Sequence, residues 1–347
     1  MLKRKRKLAN LVWAVARNGV SYTAPFVRFI PTDRCNLDCR YCFQKSADPR
    51  EMTLEEFRAY LGKAKKLGIG MASFLGGEPL TWEPIHDAVA LCSENGVLSD
   101  ITTNGTLLGT ETLDRLGRAG LDLLNVSADV VDPTGVTAKN SVFRDRLIRD
   151  LEAMRLEYGV RVRINSVLYR DNSDSIRELV ELAHRHGFPI SVGFIVPHLD
   201  EETSREICFS HDDRELLEGM VDYLVERKRH GYRIIDTRQY FLNVFRFLDG
   251  ERFWECNYGR RIGWLNVTPS GRIRSCTKKM DELDERFLDL TPAKIKRLRR
   301  RFRAATEECN VDCYSNCAYN GYFFYRNMPS AILRYVAGHP RRVAAAG

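Results

Sequence analysis

Eight of the ten cysteines in this 347-residue chain fall into two groups, and both groups have the composition of metal sites. The first is Cys35, Cys39 and Cys42, spaced C-x3-C-x2-C. Three thiolates this close together can hold three irons of a 4Fe–4S cluster, leaving a fourth iron open to a small molecule. Zinc also selects thiolates, although structural zinc takes four ligands and no fourth Cys or His stands nearby. A disulfide would leave an odd thiol. The second group is Cys256, Cys276, Cys309, Cys313 and Cys317, ending in a C-x3-C-x3-C run. Four thiolates there suit zinc as well as iron. A chain of this size buries roughly 75% of its unfolded surface, so it needs no disulfide staples. Cys92 and Cys208 stand alone and read as buried thiols.

The first group must be positioned by the elements around it. Short apolar runs alternate with helical patterns from Phe26 to Val196. Phe26–Ile30 delivers the chain to Cys35. Thr53 and Glu56 have capping-box spacing at the head of a helix. Strands follow at Met71–Leu75, Leu98–Thr103, Leu121–Ala128, Val160–Leu168 and Ile190–Val196, with a helix after each of the first five. Such alternation indicates βαβ units and a parallel sheet. Six units are too few for the closed eight-stranded barrel, so the expected fold is α/β, an open or partial (β/α)6 barrel. Ligands in such sheets sit beyond the carboxyl ends of the strands. Cys35, Gly76-Gly77-Glu78-Pro79, Asn104-Gly105, Ser127 and Asp129 all fall at strand carboxyl ends. After Pro197 the pattern changes: His198–Asp213 reads as a polar loop and Asp213–His230 as a helix. Asn266–Arg274 reads as a hairpin turning at Pro269-Ser270-Gly271, able to return Cys276 toward Cys256.

The C-x3-C-x-aromatic-C run, with Tyr41 as the aromatic, resembles the signature of the radical S-adenosylmethionine (SAM) enzymes. Gly76-Gly77-Glu78-Pro79 is similar to that family's GGEP motif, and Asn104-Gly105-Thr106 to its third-strand motif. Ser127, Asp129, Asn165 and Ser166 stand where the family commonly contacts the cofactor. The resemblance covers roughly residues 24–200. It implies a 4Fe–4S cluster on Cys35, Cys39 and Cys42, and SAM held by Tyr41, Gly76, Gly77, Glu78, Pro79, Asn104, Ser127, Asp129 and Asn165, with Glu78 gripping the methionyl ammonium. Reductive cleavage of SAM would yield a 5′-deoxyadenosyl radical that abstracts hydrogen from a substrate; cofactors carry such chemistry while the protein positions them. The later cysteines resemble the SPASM and twitch extensions of the family, with Cys256, Gly271 and Cys276 in the expected order. The full pattern has about seven cysteines and two auxiliary clusters. Five are present, which implies one auxiliary 4Fe–4S cluster on Cys256, Cys276 and two of Cys309, Cys313 and Cys317. The implied partners are a flavodoxin- or ferredoxin-type electron donor and a peptide or small-molecule substrate. Oxidative modification of a peptide or protein is the leading expectation. Lipid or isoprenoid modification at a membrane surface and RNA modification are the alternatives. A bare electron carrier would not need Gly76-Gly77-Glu78-Pro79.

Charge is unevenly spread. Residues 1–30 carry seven Lys/Arg and no acid, and residues 291–347 carry eleven Lys/Arg against three acids, while the net charge is only +8. The body between is therefore acidic. Lys3–Lys7 are five consecutive basic residues. Leu8, Leu11, Val12 and Val15 can share one face after them, which reads as an amphipathic helix able to rest on an anionic membrane. No apolar run approaches the ~20 residues needed to span a bilayer. The expected location is cytoplasmic, with peripheral contact to the inner membrane face. The expected organisation is a basic N-terminal segment (1–23), a partial barrel (24–235), an auxiliary-cluster region (236–330) and a basic tail (331–347).

Overall fold

In the computed structural model the chain opens with helix α1 (Leu2–Ser21) and then repeats strand and helix. The repeat runs β1 (Phe26–Phe29), α2 (Leu54–Lys66), β2 (Met71–Phe74), α3 (Ile85–Glu94), β3 (Leu98–Thr103), α4 (Thr110–Ala119), β4 (Leu123–Ser127), α5 (Asp145–Glu157), β5 (Arg161–Leu168), α6 (Ser173–Arg185) and β6 (Ile190–Phe194). Helices α7 (Glu201–Ile207), α8 (Arg214–Arg229), α9 (Arg238–Leu242) and α10 (Val244–Leu248) follow, then β7 (Trp264–Val267), β8 (Arg272–Arg274), β9 (Glu282–Arg286) and α11 (Pro292–Cys309). The structure describes residues 2–21, 24–42, 44, 50–195, 201–251, 253–254, 256, 263–274, 276, 282–309, 313–316 and 319, without the side chains of 2–3, 19–21 and 307–309. Cys317, the Cys309 side chain and the tail 331–347 lie outside the described residues.

The strands form one sheet in the order β6-β5-β4-β3-β2-β1-β7-β8-β9. β1 to β6 are parallel neighbours, as the alternating pattern predicts. The sheet is not closed. Its helix-facing side carries Val27, Phe29, Ala72, Phe74, Ile101, Leu124, Val126, Val162 and Ile164, all buried in one continuous core with α2 to α6. The capping box at Thr53 forms in both directions. β7 joins the far edge parallel to β1, and β8 and β9 add antiparallel, so the second cysteine region extends the same sheet. Gly271, at φ 75°, closes the β7–β8 turn with its N–H on the Thr268 carbonyl.

Two segments differ from the sequence reading. The stretch read as a polar loop holds α7, whose Glu201 and Arg205 pair one turn apart at 3.1 Å while Ile207 is buried. A lone buried residue gives no periodic signal. β9 has no apolar alternation either; Arg272 and Glu282 or Asp284 offer opposite charges across its pairing with β8.

α1 departs furthest from expectation. Leu11 and Val15 are buried against Met71 and Leu98, at the amino end of the parallel strands. The apolar face read as membrane-facing is therefore turned inward, and Val12 is left outside with Trp13. Lys7 is buried as well. Its ammonium meets Asp122 Oδ2 at 2.7 Å and the Gly120 carbonyl at 2.9 Å, while Arg6 and Asn10 donate to the Glu94 and Gly96 carbonyls. These carbonyls end α3 and α4, where helix dipoles favour positive charge. The basic run thus serves helix C-termini. Among the described residues no helix is long and apolar enough to cross a membrane.

Candidate active site

The chain leaving β1 crosses the opposite rim of the sheet, at the carboxyl ends. Its first residues are pinned by the turn after β2. The Gly77 N–H donates to the Thr32 carbonyl at 3.0 Å and the Glu78 N–H to the Arg34 carbonyl at 2.8 Å. A Cβ on Gly77 would lie 2.0 Å from the Arg34 oxygen, and Gly76 holds φ 138°. Only glycines allow this approach. The double glycine therefore fixes the backbone directly before Cys35.

Glu78 is 1% exposed. Its carboxylate accepts from the Leu80 N–H at 3.1 Å, the Thr103 hydroxyl at 2.7 Å and the Asn104 N–H at 2.7 Å. Burial pushes its pKa up, and these three donors pull the other way. The carboxylate thus clamps β2 to β3. Pro79 is buried at the head of the short turn that follows. Asn104 is the next contact. Its amide donates to Asn36 Oδ1 at 2.8 Å and approaches Cys35 Sγ at 3.9 Å, while Oδ1 accepts from the Thr106 N–H and hydroxyl.

β1 and β4 are separated by two strands, about 14 Å in a flat sheet at ordinary strand spacing. The loop from Leu37 to Cys42 nevertheless reaches the loop leaving β4. The Arg40 N–H donates to the Val136 carbonyl at 2.9 Å, and Cys39 Sγ lies 3.1 Å from the Thr137 hydroxyl. The Tyr41 hydroxyl donates to Asp129 Oδ2, and Asp129 Oδ1 accepts the Val167 N–H at 2.7 Å. Lys139 completes the group, 3.8 Å from Asp129 and 4.9 Å above the Tyr41 ring. Burial and the Asp129 carboxylate hold the Tyr41 phenol well above its usual range. Burial opposes the charge on Lys139, but Tyr41 and Asp129 outweigh it and keep the ammonium protonated. Asp129, a candidate cofactor contact by its place at the end of β4, is 1% exposed and holds the loop through these partners.

Ser127 and Asn165 are paired neighbours on β4 and β5, both partly exposed. The Ser166 hydroxyl turns away to the Ala128 carbonyl. Of the three thiols, Cys35 is exposed, Cys42 half-buried and Cys39 buried. Among the described residues no three Cys, His, Asp or Glu side chains are gathered closely enough to hold a metal ion. The donor set itself fits a cluster: three thiols outside any disulfide, on one loop, with Asn104 and Thr137 beside two of them.

The second region is built differently. Cys256, Cys276 and Cys313 are each half-buried. Tyr314, beside Cys313, stacks on Tyr240 at 4.9 Å and on Phe247 at 5.2 Å. Trp254, two residues before Cys256, meets Tyr314 and Tyr319 at 6.5 and 5.6 Å. One aromatic cluster therefore anchors the segments that carry Cys256 and Cys313. Cys276 is reached through β8, where buried Arg274 lies 3.9 Å from Asp33 and 3.5 Å from Gln44 Oε1. Cys92 is buried and its thiol pushed up by burial. Cys208 is also buried, in the cluster of Cys39, Tyr41 and Tyr169. Thr137, Lys139, Asn36 and Arg274 were not legible as site residues. Thr137 and Cys39 are 98 residues apart, and no spacing rule links them.

Comparison with known proteins matches this frame. The family model of the Radical SAM superfamily matches residues 29–209. A GTP 3′,8-cyclase of Clostridium perfringens is 33% identical over 186 residues, covering 49% of this chain and 54% of that protein. A PqqA peptide cyclase of Xanthomonas oryzae pv. oryzae is 33% identical over 157 residues, covering 44% and 42%. The chain thus spans about half the length of these curated relatives. Among solved structures, Streptococcus suis SuiB bound to the precursor peptide SuiA superposes with a TM-score of 0.58 at 20% identity, covering 80% of this chain and 66% of that one.

Proposed function

The chain belongs to the radical SAM superfamily, and from that membership we propose that it modifies a peptide or protein oxidatively. It is an enzyme of that superfamily, and its cofactors are SAM and a 4Fe–4S cluster. When bound, they supply a 5′-deoxyadenosyl radical that abstracts hydrogen from the substrate. Cys35, Cys39 and Cys42 would hold the cluster. The observation that carries this assignment is the three-thiol loop laid across the sheet's carboxyl rim and pinned there by Gly77 and the β4 loop. Gly76, Gly77, Glu78, Pro79 and Asn104 border the methionyl end of SAM; Ser127 and Asn165 border its ribose. Tyr41 and Asp129 keep the loop in place.

A peptide substrate is supported by the PqqA peptide cyclase relative and by the second cysteine region, with Cys256, Cys276 and two of the last three cysteines on one auxiliary cluster. Such a cluster can accept the electron that an oxidative outcome releases. A flavodoxin- or ferredoxin-type protein supplies the reducing electron.

A second reading has its own observation. Arg28 and Arg163 lie on the sheet face away from the helices, Arg28 in register with Asp100 across Ser73 and Arg163 paired with Asn125. Two guanidiniums there favour a small anionic substrate, as the GTP 3′,8-cyclase relative would also suggest. One experiment separates the readings. The anaerobically reconstituted, dithionite-reduced protein is given SAM with either GTP or a set of short synthetic peptides. Peptide-stimulated 5′-deoxyadenosine, with a two-hydrogen mass loss in the peptide, supports the first reading. Stimulation by GTP alone replaces it with the second.

A further inference from the structure

We propose that Thr137 and Lys139, on the loop leaving β4, set the reduction potential of the cluster held by Cys35, Cys39 and Cys42, through a hydrogen bond to the Cys39 sulfur and a fixed positive charge beside it. This rests on the cysteine assignment above.

The contacts of Thr137 and Lys139 carry the inference. The Thr137 hydroxyl is 3.1 Å from Cys39 Sγ, and Thr137 is 3% exposed. A ligating thiolate has no proton, so the hydroxyl must be the donor. Its oxygen already accepts the Lys139 N–H at 3.3 Å, which leaves the hydroxyl proton for the sulfur. Lys139 in turn is held over the Tyr41 ring at 4.9 Å, two residues along from Cys39. Its backbone is fixed too, because its carbonyl accepts the Asp129 and Val130 N–H groups at 2.8 and 3.4 Å. Asp129 faces Lys139 from β4 and offsets part of its charge at 3.8 Å.

Hydrogen bonds to ligating sulfurs and the local net charge are among the factors that set iron–sulfur potentials. Reduction adds one electron from an external donor and moves no proton here, so the site gains one negative charge. A donor on the Cys39 sulfur and a nearby ammonium both favour that charge, more strongly in a buried setting than in water. Asp129 opposes it. The three side chains therefore have opposite and separable signs.

The test is a redox titration of the reconstituted full chain with titanium(III) citrate. It is followed through the electron paramagnetic resonance signal that changes on adding SAM. Thr137→Val, close in shape, moves the midpoint to a more negative potential, and Thr137→Ser restores it. Lys139→Met shifts it in the same direction and Asp129→Asn in the opposite one. Iron content and circular dichroism are read on every variant. A folded Thr137→Val protein with full iron and an unchanged midpoint overturns the proposal. So does Thr137→Ser behaving like Thr137→Val, or Asp129→Asn shifting the same way as Lys139→Met. Failure of the wild-type chain to show any SAM-responsive signal would instead sink the cysteine assignment beneath it.

Discussion

Cys39 lies on a small apolar cluster with Val130, Tyr169 and Ile195, but the contacts that orient its loop are polar. Asn36, Asn104, Thr137, Asp129 and Lys139 hold the loop through hydrogen bonds and one buried charge pair. Around Cys313 the contacts are aromatic faces, with Tyr314 packed among Tyr240, Phe247, Phe253 and Trp254. Polar contacts fix direction and distance, because hydrogen bonds weaken steeply away from their preferred geometry. Aromatic packing supplies burial with looser geometric demands. The first region is thus built to place three sulfurs accurately at a rim that a substrate must also reach. The second is built to gather distant stretches of chain, since Tyr240, Phe247, Trp254 and Tyr314 pack together from segments far apart in sequence.

Five changes break or sharpen that contrast. The largest effect comes from Cys35, Cys39 and Cys42 changed together to Ala. Of about eight irons in two 4Fe–4S clusters, about four should remain on iron assay, and 5′-deoxyadenosine should no longer form. Cys276→Ala should remove the other half of the iron while SAM cleavage persists without product. The contrast fails if cleavage is lost as well. Tyr314→Ala should cost about 3–5 kcal/mol in urea unfolding, the range for emptying a buried aromatic site. Tyr314→Phe, which keeps the stack, should cost about 1 kcal/mol. A fourth change belongs to neither region. Burial pushes the Asp100 carboxyl up to about 6, against Arg163 and Arg28. The folded state keeps that proton after the unfolded chain has lost it. Stability should therefore fall as pH rises from about 4 to about 6 and then level off, by at most about 3 kcal/mol. Asp100→Asn should flatten the slope of the urea midpoint. The smallest effect is Asn36→Ala, which removes one exposed and one half-buried hydrogen bond. It should cost about 1 kcal/mol yet lower SAM cleavage by more than that stability change explains.

The contrast also explains what could be read from sequence. β1 to β6 were legible because each strand is an apolar run bounded by turn residues, and the capping box at Thr53 formed as spaced. Cys35, Cys39, Cys42 and Gly76–Pro79 were legible because their chemistry is local. Thr137 and Lys139 were not, because they reach Cys39 only after the loops of β1 and β4 meet over two intervening strands. Glu78 and Asp129 were legible as candidate site residues, but their partners within the chain were not. A sequence shows that a carboxylate stands at a strand end, not which donors will meet it there. α1 was misread for a related reason. Its basic run looks for an anionic partner, and the partners are Asp122 and the carbonyls at the ends of α3 and α4.

That last arrangement sets an order of events during synthesis. α1 is made before the strands it packs on, and Lys7 cannot find Asp122 until 115 more residues exist. Met71 and Leu98, which bury Leu11 and Val15, also come later in the chain. At about 5–20 residues per second, Leu11 and Val15 wait on the order of ten seconds or more for their binding surface. The segment of α1 therefore emerges with an uncovered apolar face beside a cationic run, and the length of its exposed interval is governed by the ribosome's pace.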